Sequence, residues 1–162
     1  MSIQQTIICQ FNATLAMLQE CIVKCPESLW FSTELPNRYW QVAYHALFYS
    51  HLYLQPSEND FSPWAKHRAD HESLGSLPPQ GTQSRAPYTR EEMLDYLAFC
   101  QNEVATKIGD LDGDSGFSWL PFGKLELHIY NIRHLQQHVG ELSGRLAADA
   151  QIDINWVGTK LG

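Results

Sequence analysis

The chain carries little charge and has no cluster of basic residues. Charged residues make up 18% of its 162 residues, and 11 Lys and Arg stand against 18 Asp and Glu, for a net charge of -7. Because this share is below the usual quarter, we expect part of the surface to be buried in a dimer. Binding to nucleic acid or to an anionic membrane needs clustered Lys and Arg, so the sequence predicts neither.

Signals for export and for membrane insertion are also missing. Residues 1–8 lack the basic start, apolar block and small-residue cleavage site of a secretory signal. No run of 18 consecutive apolar residues occurs, so the sequence predicts no transmembrane helix. We therefore expect a cytoplasmic protein.

Cysteines are few, and their spacing matches no common motif. Cys21 and Cys25 are spaced CxxxC, which is neither a zinc-ribbon pair nor a CxxC redox motif. In a cytosolic protein we interpret them as free thiols, since a free Cys usually behaves as a small buried hydrophobe.

Four segments have the apolar spacing of helices, and no segment is typical of a strand. Asn37 is placed to cap the second helix, and Thr89 with Glu92 forms a capping box for the third. The pattern predicts a single all-α domain over residues 1–162, a four-helix bundle, with helices over residues 2–24, 37–54, 89–109 and 124–150.

A long segment, residues 55–89, separates the second and third predicted helices. It holds five of the eight prolines and shows little periodicity. We expect an ordered surface loop with one short helix near Trp64 to Leu74. Loops of this length are usually functional or flexible.

The acidic connection 110–116 resembles a calcium loop, with Asp at alternate positions. The EF-hand pattern needs Gly at the sixth position and Glu at the twelfth, where this chain has Ser115 and Pro121. We therefore predict a helix-to-helix turn. The tail, residues 153–162, is expected to pack back on the bundle.

The histidines carry the functional prediction. At about 100° per residue, His134 and His138 differ by about 40°, and Glu141 lies about 20° to the other side of His134. Two imidazoles on one helix face can bind one metal ion, provided that a third ligand comes from elsewhere in the fold. The residues between them do not form HExxH, so the spacing excludes a zincin-type metalloprotease at this motif.

The third ligand is expected from the second predicted helix. His45 and His51 are six residues apart, as are His128 and His134, so only one of each pair can face a shared centre. We favour His45, because it lies in mid-helix on an inward-looking stripe with Gln41.

The sequence leaves two interpretations open for Glu141 and favours one interpretation for His67 and His71. Glu141 either orients a ligand imidazole or acts as a base, or it is an exposed carboxylate that pairs with Arg145. His67 and His71 form a second HxxxH, but cationic neighbours flank it, and we interpret both as surface histidines.

Two motifs resemble the DinB-like superfamily of bacterial four-helix-bundle proteins, which is similar in fold to the bacillithiol S-transferases and the mycothiol-dependent maleylpyruvate isomerases. They are YHALF around His45 and HLQQHVGEL from His134 to Leu142. The resemblance implies an up-down-down-up bundle, a frequent homodimer, and a divalent ion held by His45, His134 and His138.

These features predict a divalent-metal-dependent enzyme that acts on small molecules, with Zn or Ni as the expected ion and Mn or Fe after them. Three imidazoles leave an open face on the ion, where a water or thiol is activated. The resemblance favours a thiol S-transferase that uses a low-molecular-weight thiol, and the chemistry favours a hydrolase. Two alternatives stay open: a non-enzymatic metal- or ligand-binding dimeric stress-response module, and buried polar histidines without a metal.

Overall fold

The computed structural model describes residues 1–75, 86–109 and 111–161, and its regular elements are helices. Across these ranges no strand forms, and an isolated bridge joins Asp114 and Gly123. The predicted all-helical class is therefore confirmed. The helices are α1 (Ile3–Lys24), α2 (Glu27–Trp30), α3 (Tyr39–Tyr53), α4 (Arg90–Lys107) and α5 (Lys124–Arg145), with a short 3-10 turn at Glu58–Asp60 and a π-helical turn at Leu146–Ala150.

The four long helices pack as a bundle. Both α1 and α3 pack mainly against α4 and α5, and they contact each other more weakly. Large aromatic side chains fill the space between them, because aromatic rings bury the most apolar surface per residue. Those that are almost wholly enclosed are Phe11, Trp30, Tyr39, Trp40, Tyr44, Tyr88 and Tyr96.

Local capping explains where α1 and α4 begin, but not where α3 begins. Thr89 and Glu92 form the predicted capping box of α4. The predicted cap at Asn37 is wrong: the N-cap of α3 is Arg38, without a side-chain capping bond. The Asn37 Oδ1 atom instead accepts a hydrogen bond from the Gly75 N–H, at 3.0 Å, so a tertiary contact has replaced a local one.

The short helix expected near Trp64 to Leu74 does not form, and that stretch consists of turns. Asp70 has a φ of 64°, which interrupts any right-handed helix. The Trp64 ring instead stacks on Tyr96, with ring centroids 4.6 Å apart, and this contact fastens the segment to α4. Residues 76–85 of the predicted loop lie outside the described residues, as does Asp110 of the acidic connection.

Residues 108–123 connect α4 to α5, so the acidic segment lies between two helices, as predicted. Gly116 has a φ of +85°, and a Cβ added there would lie 2.0 Å from the Pro56 carbonyl oxygen, so only glycine fits. The Lys124 ammonium donates to the Ser115 carbonyl at 2.7 Å. These contacts tie the start of α5 to the end of the α3 region.

The C-terminal tail packs along α1, as expected. The Asn155 amide contacts the Glu20 carboxylate at 3.1 Å, and the Lys160 N–H donates to the Cys9 carbonyl at 3.3 Å. Ile154 and Val157 of the tail pack against the core, whereas Trp156 is 76% exposed.

The apolar character of α1 bears on the prediction that the chain has no transmembrane helix. By length and composition alone it could cross a membrane, although most of its apolar window is buried in the bundle. The core helix of a soluble protein passes the same test, so the length and composition of α1 are only weak evidence for a transmembrane helix.

All four cysteines, including Cys21 and Cys25, are free and buried, which confirms the interpretation as free thiols.

Candidate metal centre

Three imidazoles from two helices meet where α3 packs against α5. The His134 Nε2 atom lies 3.2 Å from the Nε2 atom of His45 and 3.2 Å from that of His138. One ligand atom from each ring lies within 4.8 Å of the other two. The predicted convergence of these three residues is therefore present, and together they can hold a metal ion.

The spacing of the nitrogens fits a metal ion. Zinc–nitrogen bonds of about 2.0–2.1 Å in tetrahedral geometry place two ligand nitrogens about 3.3 Å apart, close to the observed separation. Burial lowers the pKa of His45 to about 4. Burial, and then the neighbouring His138 and His45, lower that of His134 to about 3. Both rings are thus neutral near pH 7, the form that binds metals.

Hydrogen bonds on the far edges of two rings determine their tautomers. The His45 Nδ1 atom lies 2.6 Å from the Glu72 carbonyl oxygen, which can only accept, so Nδ1 carries the proton. The His138 Nδ1 atom faces the Glu141 carboxylate at 3.3 Å and is assigned the same way. In neutral His45 the Nε2 atom then presents a lone pair toward His134, as a metal ligand requires.

Glu141 occupies a position behind the ligand ring. One carboxylate oxygen faces His138, and the other accepts a hydrogen bond from the Arg145 guanidinium. The same guanidinium donates to the Asn37 carbonyl at 2.7 Å. Glu141 is partly buried and makes both predicted contacts, one with His138 and one with Arg145, while its role as a base stays a prediction.

A segment of the long connection runs along α3 and completes the site. Gln41 and His45 are four residues apart and share one face of α3, and Asn37 lies just before that helix. Their side chains bond in turn to the Gly75 N–H at 3.0 Å, the Ser73 carbonyl at 2.7 Å and the Glu72 carbonyl at 2.6 Å. We call residues 72–75 the strap.

Sequence reasoning did not identify Glu72, because a backbone carbonyl leaves no signature in the residue pattern. The spacing of Asn37, Gln41 and His45 was the available signal, since three polar side chains at four-residue steps need partners from another segment. Their partners lie in an irregular stretch, where periodicity makes no prediction.

The other histidines have separate partners. His51 contacts the Tyr96 hydroxyl, 3.2 Å away, and His128 packs edge-on against Phe11. His67 bonds to the Tyr44 hydroxyl at 2.6 Å. The surface prediction is wrong for His71, which is 6% exposed and has its Nε2 atom 2.9 Å from the Ala86 carbonyl.

One aromatic side chain lines the centre. The Tyr49 ring centroid lies 4.7 Å from that of His45 and 5.7 Å from that of His134. Trp40 and Tyr44 belong to the buried core. His45 and His134 are both only partly buried, so the centre stands at the edge of the core rather than inside it.

No family model matches the chain, and no curated protein and no solved structure shows significant similarity to it. The class that the structure defines is therefore a helical bundle with a three-histidine cluster able to bind metal. Membership of the DinB-like superfamily stays a prediction from the two sequence motifs.

Proposed function

We propose that this chain is a divalent-metal-dependent enzyme that acts on small molecules. The observation that carries the proposal is the convergence of three imidazole rings from α3 and α5, two of them oriented by hydrogen bonds to the Glu72 carbonyl and the Glu141 carboxylate. A metal ion bound there would act as a Lewis acid that lowers the pKa of a water or thiol at its open side.

The donor set favours a catalytic over a structural site. Structural zinc sites are closed by four protein ligands, whereas catalytic sites have three and keep a position free. Within the described residues no Cys, Asp or Glu joins His45, His134 and His138 in the cluster. Imidazole ligands suit Zn and Ni, with Fe or Mn as further candidates.

The residues of the chain then have distinct roles. His45, His134 and His138 hold the ion, and Glu141 positions His138 through its Nδ1 proton. Metal-ligating histidines usually donate their other N–H to a carboxylate or carbonyl, and Glu141 and Glu72 provide one of each. The proposed reaction is an attack on the substrate by the activated nucleophile, which is a thiol in an S-transfer and a water in a hydrolysis.

A DinB-like, up-down-down-up topology is part of the proposal. α3 and α4 are neighbours in the bundle, and the segment between them, residues 54–89, is long enough to return along the bundle. Such a long crossover is what two parallel neighbouring helices require. The buried free cysteines fit a reducing bacterial cytoplasm.

A homodimer is proposed from the apolar side chains left on one face of α1 and α5. Ile3, Leu125 and Ile129 are 60%, 36% and 49% exposed. They line one groove together with Ile7 and Ile132. Contiguous exposed apolar surface commonly marks an interface, and a second copy of the chain would cover it.

Metal analysis of untagged protein, followed by thiol-conjugation and esterase assays with and without added Zn, Ni or Mn, tests the function. We expect one ion per chain and metal-dependent turnover. Stoichiometric metal without turnover would favour the non-enzymatic binding module. Protein that binds none of these ions would overturn the proposal.

A further inference from the structure

A second cavity lies where the segment before α3 meets the end of α5. This cleft has a volume of about 340 Å³ and is open to solvent, and small-ligand pockets span roughly 300–1,000 Å³. It is lined by α2, by the connection from residue 31 to residue 38, and by the end of α5 with its π-helical turn. None of the three clustered histidines lines it, so the cleft is separate from the candidate metal centre.

The cleft contains an arginine whose charge has no partner. Arg38 lines it and is partly buried, and within the described ranges its guanidinium makes no hydrogen bond or ion pair. Arg145, the other arginine in the lining, bonds to the Glu141 carboxylate and to the Asn37 carbonyl. A guanidinium stays charged in proteins, and a partly buried charge without a partner is costly. Arg38 is therefore suited to bind a ligand carboxylate, which its planar fork can hold through two hydrogen bonds.

Two carboxylates face the same cleft. Glu34 and Asp149 line it, and both are exposed. In the part of the chain that the structure describes, no ion pair joins either of them to Arg38 or Arg145. Because Glu141 already matches the charge of Arg145, the lining presents one unmatched cation and two unmatched anions.

This balance of charge decides between ligand classes. A phosphate or another ligand with only negative charge would meet the carboxylates of the cleft and a chain with a net charge of -7, which together disfavour it. A ligand with only positive charge would leave Arg38 unmatched. A zwitterion, with an ammonium close to its carboxylate, matches both kinds of group.

The remaining lining includes apolar side chains. Leu35 is 47% exposed and shares the cleft with Leu29. An apolar group on the ligand would cover this surface and remove it from water, which is favourable in proportion to the area buried.

We propose that this cleft binds an α-amino acid with an apolar side chain. The ligand carboxylate accepts hydrogen bonds from Arg38, and its ammonium donates to the carboxylates of Glu34 and Asp149. The side chain of the ligand lies on Leu29 and Leu35. The inference goes beyond the proposed metal-dependent function and does not depend on it.

Three probes that differ by one charged group test the ligand class. Metal-free protein is titrated in a calorimeter with L-leucine, with 4-methylpentanoate, which lacks the ammonium, and with 3-methylbutylamine, which lacks the carboxylate. We expect leucine to bind about tenfold or more tightly than either analogue, because each analogue loses a charge-assisted hydrogen bond.

Arg38→Gln tests the position of the site. Arg38 makes no side-chain capping bond to α3, so the variant should keep the Tm of the wild type. Its affinity for leucine should fall about tenfold or more, for the same reason, whereas its affinity for 3-methylbutylamine should not fall. Arg133→Gln is the matched control, because Arg133 is an exposed arginine of α5 that lines a different groove, and it should bind leucine as the wild type does.

The outcomes separate this inference from the proposed function. Wild-type protein that does not bind leucine, or that binds it no more tightly than the two analogues, would overturn the inference. Wild-type affinity for leucine in Arg38→Gln would overturn it as well. Zinc titrations of the same samples report on the three histidines alone, so leucine binding by a protein that takes up no zinc would support the cleft and overturn the metal site.

Discussion

Replacing His138 by Ala should abolish the stabilisation that a metal ion gives to the folded chain. An ion at a hundredfold excess over its Kd stabilises the fold by about 2.7 kcal/mol. For a chain of this size each kcal/mol shifts Tm by roughly 2–4 °C. Added zinc should therefore raise the Tm of the wild type by roughly 5–10 °C. His138→Ala leaves two imidazoles and an uncoupled Glu141, and its Tm should hardly respond.

Calorimetry with and without zinc, together with metal analysis of each sample, measures this difference. His128→Ala is the control, because it removes a buried histidine from the same helix that bonds to none of the three ligands. It should lower the Tm of the metal-free protein and keep the zinc-induced rise. A zinc-induced rise in His138→Ala equal to that of the wild type would refute the assignment of His138 as a ligand.

Three further predictions concern the surroundings of the site. Glu141→Gln should weaken zinc binding about 10–100-fold in chelator competition, whereas Glu126→Gln in the first turn of α5 should not; equal affinities would show that the contact with His138 is inert. His67→Ala should leave the metal content unchanged, and a loss would move the site to the long connection. Burial lowers the pKa of His128 to about 4, so its stability contribution is complete above about pH 6.5 and falls by about 1.4 kcal/mol per pH unit below it. Urea titrations from pH 7 to 4.5 should show a shallower decline for His128→Phe, and parallel profiles would contradict this.

The metal site also explains why an irregular segment lies along α3. The strap is bonded to two successive turns of that helix, at Gln41 and His45, and to Asn37 before it, and the bond to His45 orients that ring. A displaced strap would free the His45 ring to rotate and to exchange its tautomer. The strap is therefore part of the surroundings of the centre.

Local physics accounts for what could be predicted about the helices. The helical period and the capping box at Thr89 and Glu92 act within a few residues, and α4 begins where they indicate. Predictions failed where a distant group competed. Asn37 is expected to cap α3, but it accepts a hydrogen bond from the Gly75 N–H instead. Trp64 is expected in a short helix, but it lies in an irregular segment and stacks on Tyr96.

The amino-acid sequence by itself determined that His134 and His138 share a helix face, because residues four apart on a helix are always neighbours. It also favoured His45 over His51 as the third ligand, because His45 lies in the middle of its helix. Only the tertiary structure decided that α3 packs on α5 so that the rings meet, that the Glu72 carbonyl selects the His45 tautomer, and that Arg145 holds Glu141. These contacts join residues far apart in the chain, and their geometry depends on how every helix packs, which no local pattern encodes.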